Sequence, residues 1–274
     1  MSSWRLACWA HVGFVILKEP PFRRVVKLIL RALPVTTPLK ALWDAAPRPH
    51  YLFGVLYAAE QAKREGWSAV SVIEFGVAEG DGLLTLQKHA AAVEHDTGIE
   101  IHVYGFDLGK GLPQGTGDYR DHPDFWTSGD YPMDEPALRR QLAARTTLVI
   151  GDVSATAATQ PLAAPIGFVA VDLDLYSSTA DALRILLRSD VQLLHRVALY
   201  FDDIDTVYNH RFAGELLAID EFNVNSKNVK IDQWRGLQSG RPFHDADWLQ
   251  RMYLAHNLPA ISQVKLTRGP ARMR

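Results

Sequence analysis

From residue 50 onward, apolar segments of two kinds alternate along the chain. Short runs rich in valine and isoleucine predict buried strands, and longer segments with apolar residues three or four apart predict helices. The predicted strands are 69–75, 99–106, 146–152, 166–174 and 196–203, and the predicted helices are 51–66, 83–98, 135–144 and 178–187. Gly66 and Gly98 stand at the ends of two of these helices, where glycine commonly terminates a helix.

Regular alternation of strands and helices is typical of a parallel sheet covered by helices on both faces. The sequence therefore predicts an α/β fold with a Rossmann-like, mostly parallel sheet. In such sheets, ligands bind beyond the carboxyl ends of the strands. The polar clusters described below all follow predicted strands, so we expect them to surround one site.

The first 49 residues have a different pattern, and we predict an N-terminal helical arm at 1–49 that precedes a catalytic domain at 50–274. Residues 22–33 (FRRVVKLILRAL) predict a basic amphipathic helix, which is interpreted either as a packing or dimer-forming arm or as a membrane-surface helix. Residues 6–17 are apolar but too few to span a bilayer. We expect a protein that is not a membrane protein.

Composition narrows the function only slightly. The chain has 274 residues, 47% of them apolar, and a formal charge of −2, so it lacks the basic excess that is typical of nucleic-acid binding. Its single cysteine, Cys8, excludes an intrachain disulfide and favours a reducing compartment. We expect a cytoplasmic protein that does not bind nucleic acid.

The turn after the first predicted strand, EFGVAEGDG, is the first candidate binding element. Gly76, Gly80 and Gly82 have the spacing G-x-x-x-G-x-G, not the G-x-G-x-x-G of a dinucleotide site. The carboxylates of Glu74 and Asp81 would repel a pyrophosphate but suit a ligand with a positive centre and an amino group. The turn thus favours S-adenosyl-L-methionine, and a purely structural glycine-rich loop is the alternative.

Two further acids end the next two predicted strands. Asp107 is placed to accept hydrogen bonds from ribose hydroxyls, and Asp152 to contact an adenine amino group. The alternative interpretation is that these side chains cap helices or hold turns.

Four aspartates follow the fourth and fifth predicted strands. Asp172 and Asp174 share a face if the strand persists, whereas adjacent Asp202 and Asp203 would diverge in a strand. Such closely packed acids favour Mg²⁺ or another divalent cation, which prefers oxygen ligands. Alternatively, Asp174 and Ser177 cap the next helix, and the later pair is solvated.

The motifs EFGVAEGDG, VYGFDLGKGLP, DLDLYSSTADAL, YFDDI and GELLAIDEFN occur here in one order. In this order they resemble the class I S-adenosylmethionine-dependent methyltransferases of the macrocin O-methyltransferase group, over roughly residues 50–225. The resemblance implies a seven-stranded Rossmann-like sheet and an Mg²⁺ ion that holds a sugar diol beside the methyl donor. Carried across by motif, it makes Asp174 a metal ligand and the catalytic base, and Asp202 and Asp203 the other metal ligands.

Three positions depart from the family pattern. Leu173 stands where the family has glycine, Ser177 where it usually has an acid, and Ile204 where it often has an aromatic residue. These departures concern the identity of the methyl acceptor, and the expected binding of S-adenosyl-L-methionine and of the metal does not depend on them.

The acceptor pocket is less defined by the sequence. We expect the long loop 110–135, with its four aromatic residues, to enclose the substrate. Those residues are Tyr119, Phe125, Trp126 and Tyr131. Three histidines, His122, His210 and His244, are further candidate bases or structural hydrogen-bonding residues. Arg211 and Glu215, near the start of a predicted helix, are interpreted either as pocket residues or as a solvated pair.

Three functions remain open on the sequence alone. The first is a metal-assisted O-methyltransferase that acts on a small hydroxylated molecule, sugar-like or natural-product-like. The second is an NAD(P)-dependent oxidoreductase, against which the glycine spacing and the absence of a Tyr-x-x-x-Lys motif both argue. The third is a non-catalytic binding module that retains the fold.

Overall fold

A computed structural model of the protein describes residues 21–205 and 210–265. It contains a seven-stranded mixed sheet with helices on both faces, which confirms the predicted fold class. The strands are β1 (Ala69–Phe75), β2 (Glu100–Asp107), β3 (Thr146–Ile150), β4 (Ile166–Val171), β5 (Leu193–Phe201), β6 (Val229–Gln233) and β7 (Met252–Asn257).

The strand order is β3-β2-β1-β4-β5-β7-β6. The first five strands are parallel, and β7 pairs antiparallel with both β5 and β6. The order reverses between β1 and β4, so the loops that leave these neighbours run in opposite directions. Their carboxyl ends therefore border the crevice in which sheets of this kind bind ligands.

Nine α-helices accompany the strands in the described residues. They are α1 (Phe22–Ala32), α2 (Thr37–Leu42), α3 (Pro49–Glu65), α4 (Asp81–Thr97), α5 (Glu135–Arg139), α6 (Val153–Thr159), α7 (Tyr176–Leu183), α8 (Gly214–Asn225) and α9 (Leu258–Gln263). A short 3₁₀ helix, Arg184–Leu187, continues α7.

Alternation along the strands divides the core into two layers. Phe168 and Ala170 of β4 pack with α3 and α4 on one face, and Val169 and Val171 pack with α7 and α8 on the other. Burial on both faces explains why the strands are continuous apolar runs and not alternating ones.

The predicted ends of two helices agree with the structure, and a glycine follows the last helical residue in both. Gly66 and Gly98 have φ angles of 83° and 74° and cap α3 and α4. Elsewhere the ends differ: β4 ends at Val171, three residues before the predicted end, and α5 is half the predicted length. A backbone turn, closed by the N–H of Leu175 and the carbonyl of Leu173, follows β4, and the side chains of Gln87 and Gln141 bind backbone groups where α5 ends.

The N-terminal helix α1 packs through its basic side. Arg23 forms an ion pair with Asp245 (2.9 Å), and Arg31 donates to the carbonyl of Ala46 (3.2 Å). The apolar side chains on its other side are exposed, with Ile29 at 51%. The domain boundary at residue 49 stays a prediction, and segment 6–17 with Cys8 lies outside the described residues. No helix in the described ranges is both long enough and apolar enough to cross a membrane.

Candidate active site

A cavity of about 380 Å³ opens at the carboxyl ends of the parallel strands. The ends of all five parallel strands contribute to its wall, and the loop between β2 and α5 covers one side. Its polar lining comprises Arg48, Asp107, Asp152, Asp172, Asp174, Ser178, Asp202 and Asp203. The predicted site acids on four different strands therefore meet at one cavity.

The glycines of the first turn are required by close packing. Gly76 lines the cavity at φ 85°, and a Cβ there would lie 1.7 Å from the carbonyl oxygen of Asp172. A Cβ on Gly80 would strike Leu138, and one on Gly82 would lie 1.9 Å from Oε1 of Glu74. Gly80 and Gly82 do not line the cavity: Gly80 leaves room for Leu138 of α5, and Gly82 lets α4 begin close to Glu74 of β1.

Asp107 holds this turn in place. Its Oδ2 accepts hydrogen bonds from the N–H groups of Val77 and Ala78 (both 2.9 Å), and its Oδ1 accepts one from Gly109 (2.6 Å). A carboxylate offers about four lone-pair sites, so one remains for a ligand hydroxyl. The side chain lines the cavity, and the predicted ribose contact stays a prediction.

Asp152 caps α6 and also lines the cavity. Its Oδ1 accepts from the N–H of Ser154 (2.8 Å) and from the hydroxyl of the same residue (2.5 Å). These bonds lower its pKa, so the residue presents a carboxylate at neutral pH. The structure shows the alternative role predicted for Asp152, which is to cap a helix. The adenine contact stays a prediction.

Glu74 and Asp81 do not line the cavity. Glu74 is buried beneath the turn, where its Oε1 accepts a 2.6 Å hydrogen bond from the Tyr51 hydroxyl. Burial raises its pKa to about 8, against the opposing effects of the Tyr51 hydrogen bond and the Arg48 charge. Asp81 is the exposed first residue of α4. The proposed direct contacts of these two acids with a cofactor stay untested.

Three aspartates form a compact oxygen cluster. Asp172, Asp174 and Asp203 each offer a carboxylate oxygen within 4.8 Å of the others. Burial and the neighbouring acids raise the pKa of Asp172 to about 7 and shift those of Asp174 and Asp203 upward as well. A small cluster of this kind, in which charges repel, matches the oxygen donors that a hard divalent cation prefers.

Asp202, predicted as a metal ligand, is not part of this cluster. It accepts a hydrogen bond from the Tyr200 hydroxyl (2.5 Å) and forms an ion pair with Arg251 (3.0 Å). Adjacent residues at a strand end point to opposite sides, so only one of the pair turns toward Asp174. Asp203 does so, and Asp172 occupies the place in the cluster that the prediction gave to Asp202.

A tight turn, not strand alternation, brings Asp174 into the cluster. Strand β4 ends at Val171, and Asp174 has a φ of 63°, a left-handed conformation that is unusual for a non-glycine residue. The N–H of Leu175 donates to the carbonyl of Leu173 (2.6 Å) and closes a three-residue γ-turn around it. Strained backbone of this type is concentrated at functional sites.

The loop between β2 and α5 is anchored at the start of α7. Buried Asp121 accepts hydrogen bonds from the N–H of Ser177 (2.8 Å) and from the hydroxyl of Thr116 (2.7 Å). Trp126 and Tyr131 line the cavity, as expected for an enclosing loop. Tyr119 and Phe125, in contrast, are exposed, at 66% and 45%.

Arg48 and Glu215 also belong to the site. The sequence pattern did not predict a role for Arg48, and it led to the interpretation of Glu215 either as a pocket residue or as part of a solvated pair. Arg48, at the start of α3, lines the cavity, and a basic residue before a proline that opens a helix carries little signal. Glu215 is fully buried and accepts from the N–H of Asp203 (3.0 Å). The interpretation of Arg211 and Glu215 as a pair is wrong, because Arg211 pairs with Asp220.

None of the three candidate histidines lines the cavity. The rings of His122 and His210 contact each other edge to face, with centroids 5.4 Å apart. Burial and the neighbouring His210 lower the pKa of His122. The structure gives these residues no place beside the aspartate cluster.

Comparison with known proteins supports the fold. No protein-family model matches the chain, and no curated protein does. Among solved structures, the calicheamicin methyltransferase CalS11 is similar, with 21% identity, a TM-score of 0.52, and coverage of 87% of this chain and 93% of CalS11. The O-methyltransferase NovP is 18% identical, with a TM-score of 0.49, over 78% of this chain and 90% of NovP. The chain has the α/β Rossmann-like fold of the methyltransferase CalS11.

Proposed function

We propose that the protein is an S-adenosyl-L-methionine-dependent, divalent-metal-assisted O-methyltransferase that acts on a small hydroxylated molecule. The observation that carries the proposal is that one cavity joins the turn after β1 to a cluster of three aspartates. A methyl donor at the turn and an acceptor at the cluster would then lie side by side. CalS11, a calicheamicin methyltransferase of similar fold, supports the choice of a sugar-like or natural-product-like acceptor.

The donor half of the cavity is formed by the ends of β1, β2 and β3. Gly76 permits close approach of a ligand to the turn, and the apolar side chains of Phe106, Leu108 and Val153 line this part of the wall. Asp107 and Asp152 stand at the polar positions of the same wall. This combination of a few fixed polar groups with apolar walls suits a nucleoside.

The acceptor half is formed by the ends of β4 and β5. Asp172, Asp174 and Asp203 are the residues that would hold a divalent cation, and Asp202 lines the same cavity in an ion pair with Arg251. When bound, such a cation lowers the pKa of a neighbouring hydroxyl and stabilises developing negative charge on its oxygen. Its presence would also relieve the repulsion among the three carboxylates.

Methyl transfer forms a carbon–oxygen bond to the acceptor and breaks the carbon–sulfur bond of the donor, while the acceptor hydroxyl loses its proton. We assign acceptance of this proton to Asp174, whose two carboxylate oxygens allow it to serve the cation and the acceptor together. The enclosing loop, through Trp126 and Tyr131, would exclude water and orient the acceptor.

Two binding experiments test this function without knowledge of the acceptor. Calorimetric titration with S-adenosylhomocysteine should show binding, and titration with NADH should show none. Mn²⁺, used as a paramagnetic probe of a magnesium site, should bind the wild type and not Asp174→Asn or Asp203→Asn. Asp190→Asn, a substitution of an exposed aspartate, serves as the matched control.

Activity is measured as release of S-adenosylhomocysteine from a mixture of methyl donor, Mg²⁺ and a panel of phenols and sugars. Asp174→Asn should lose most turnover and keep cofactor affinity. Binding of NADH in place of S-adenosylhomocysteine would overturn the assignment, and full turnover in Asp174→Asn would remove that residue from its role.

A further inference from the structure

Arg48 is the one basic side chain among the described residues that line the cavity, whereas six of the lining residues are aspartates. The acids suit the positive sulfonium and amino groups of the proposed methyl donor. They would repel the carboxylate at the end of its methionine tail. A cation must offset that repulsion if the whole donor is to bind in this cavity.

The order of the strands locates the tail. Along the sheet edge the cavity passes from Asp152 at β3, through Asp107 at β2 and Gly76 at β1, to Asp172 at β4. A nucleoside at the ends of β2 and β3 leaves the β1 position for the amino-acid tail. The sulfonium methyl group would then face the aspartate cluster.

Arg48 lines the cavity beside this position, where its charge interacts with Glu74 of β1 and with Asp172 and Asp202 after β4 and β5. Its guanidinium carbon lies 5.2 Å from the centre of the Tyr51 ring, and Nη1 is 3.5 Å from the Tyr51 hydroxyl. That hydroxyl donates to Glu74, two residues before Gly76. The chain of contacts fixes the guanidinium beside the first turn. Within the part of the chain that the structure describes, the guanidinium donates one long hydrogen bond, and a guanidinium has five N–H donors.

The backbone of Arg48 is held in an unfavourable conformation. Its φ of 43° is left-handed, and it precedes Pro49, a position at which residues strongly prefer extended backbone. Such conformations persist where the surroundings impose them, and they are concentrated at ligand-binding sites. Its carbonyl accepts from the N–H of Tyr51 (2.9 Å), so the rigid helix α3 sets the direction of the side chain.

We propose that Arg48 binds the carboxylate of the methionine tail of S-adenosyl-L-methionine and thereby selects intact donor over molecules that lack this group. The inference rests on the proposed function. A guanidinium matches a carboxylate with two parallel hydrogen bonds, a geometry that lysine cannot reproduce.

The test uses two probes, S-adenosylhomocysteine and its decarboxylated analogue, measured by calorimetry. We expect the wild type to bind S-adenosylhomocysteine about 10- to 100-fold more tightly than the analogue, which is typical of a hydrogen-bonded charge pair. Arg48→Met should lose this preference by weakening only the binding of S-adenosylhomocysteine. Arg48→Lys should recover part of it. Arg184→Met, which removes an exposed arginine outside the cavity, should behave as the wild type.

The analogue also reports whether the variant pocket is intact. Unchanged binding of the analogue to Arg48→Met, with weakened S-adenosylhomocysteine, supports the proposal. Equal loss of both ligands, or of neither, overturns it, since Arg48 would then act on the fold or not at all. A wild type that binds both probes equally also overturns it. Failure of the wild type to bind either probe would instead refute the proposed function itself.

Discussion

Replacement of Glu74 by glutamine should make the protein more stable than the wild type at alkaline pH and equally stable at acidic pH. The Glu74 side chain is 1% exposed, and burial raises its pKa from 4.5 to about 8. Because the neutral form is favoured in the folded state, its contribution to stability is complete below about pH 4.5. That contribution is lost as the pH rises through 8.

The size of the change in the free energy of unfolding follows from the shift in the pKa of Glu74. A change in the pKa from 4.5 to about 8 corresponds to about 5 kcal/mol in total, and roughly half of it falls between about pH 5.5 and 7.5. Glutamine has nearly the shape of the protonated acid, and its oxygen can accept the Tyr51 hydrogen bond. Glu74→Gln therefore removes the titration with little change in packing.

Urea denaturation of wild type and Glu74→Gln, followed by tryptophan fluorescence at a series of pH values without divalent cations, measures this difference. The free energy of unfolding of the variant, relative to the wild type, should rise by about 2–3 kcal/mol over that pH range. The titration of the three clustered aspartates is present in both proteins and cancels, apart from the repulsion between Asp172 and ionised Glu74 that contributes to the raised pKa of Glu74. Glu79→Gln, at an exposed neighbouring position, should follow the wild type. Parallel curves for wild type and Glu74→Gln would refute the reasoning.

Three further substitutions test the packing around the site. Gly76→Ala should destabilise the protein by about 3 kcal/mol or more in urea, since its Cβ would lie 1.7 Å from a carbonyl oxygen at Asp172. Arg241→Met should cost up to about 3–5 kcal/mol by the same measurement, because it removes the close partner of the buried Asp44 carboxylate and leaves Lys27 Nζ 4.0 Å away; adding Asp44→Asn should recover part of the loss, and strict additivity would contradict this. Asp121→Ala should lower stability by about 1–2 kcal/mol and speed proteolysis of the loop 108–134; an unchanged cleavage rate would count against the anchoring role.

Much of the candidate site could be foreseen because its residues follow strands that the sequence marks clearly. Asp107, Asp152, Asp174 and Asp203 were placed at strand ends, and the structure brings all four to one cavity. The roles of the side chains could not be foreseen in the same way. The carboxylate of Asp107 accepts three hydrogen bonds from neighbouring backbone N–H groups, and these groups point toward it only in the folded turn.

The prediction of the metal ligands shows how local backbone geometry decides which aspartates form the oxygen cluster. The family resemblance assigned Asp202 with Asp203, and strand alternation grouped Asp172 with Asp174. In the structure β4 stops at Val171 and a γ-turn directs Asp174, while Arg251, the residue before β7, forms an ion pair with Asp202. Arg251 is 49 residues from Asp202 in the chain, so no local pattern joins the two.

The sequence by itself determined the class of the fold, the positions of the parallel strands and the edge at which a ligand would bind. It could do so because burial imposes a periodicity that local residue patterns record. The tertiary structure alone decided that Glu74 is sealed beneath the turn and that Asp172 joins the oxygen cluster. It also decided that Arg48 faces the cavity. These outcomes depend on side chains distant in sequence and on single backbone angles, which hydrophobic patterns do not encode.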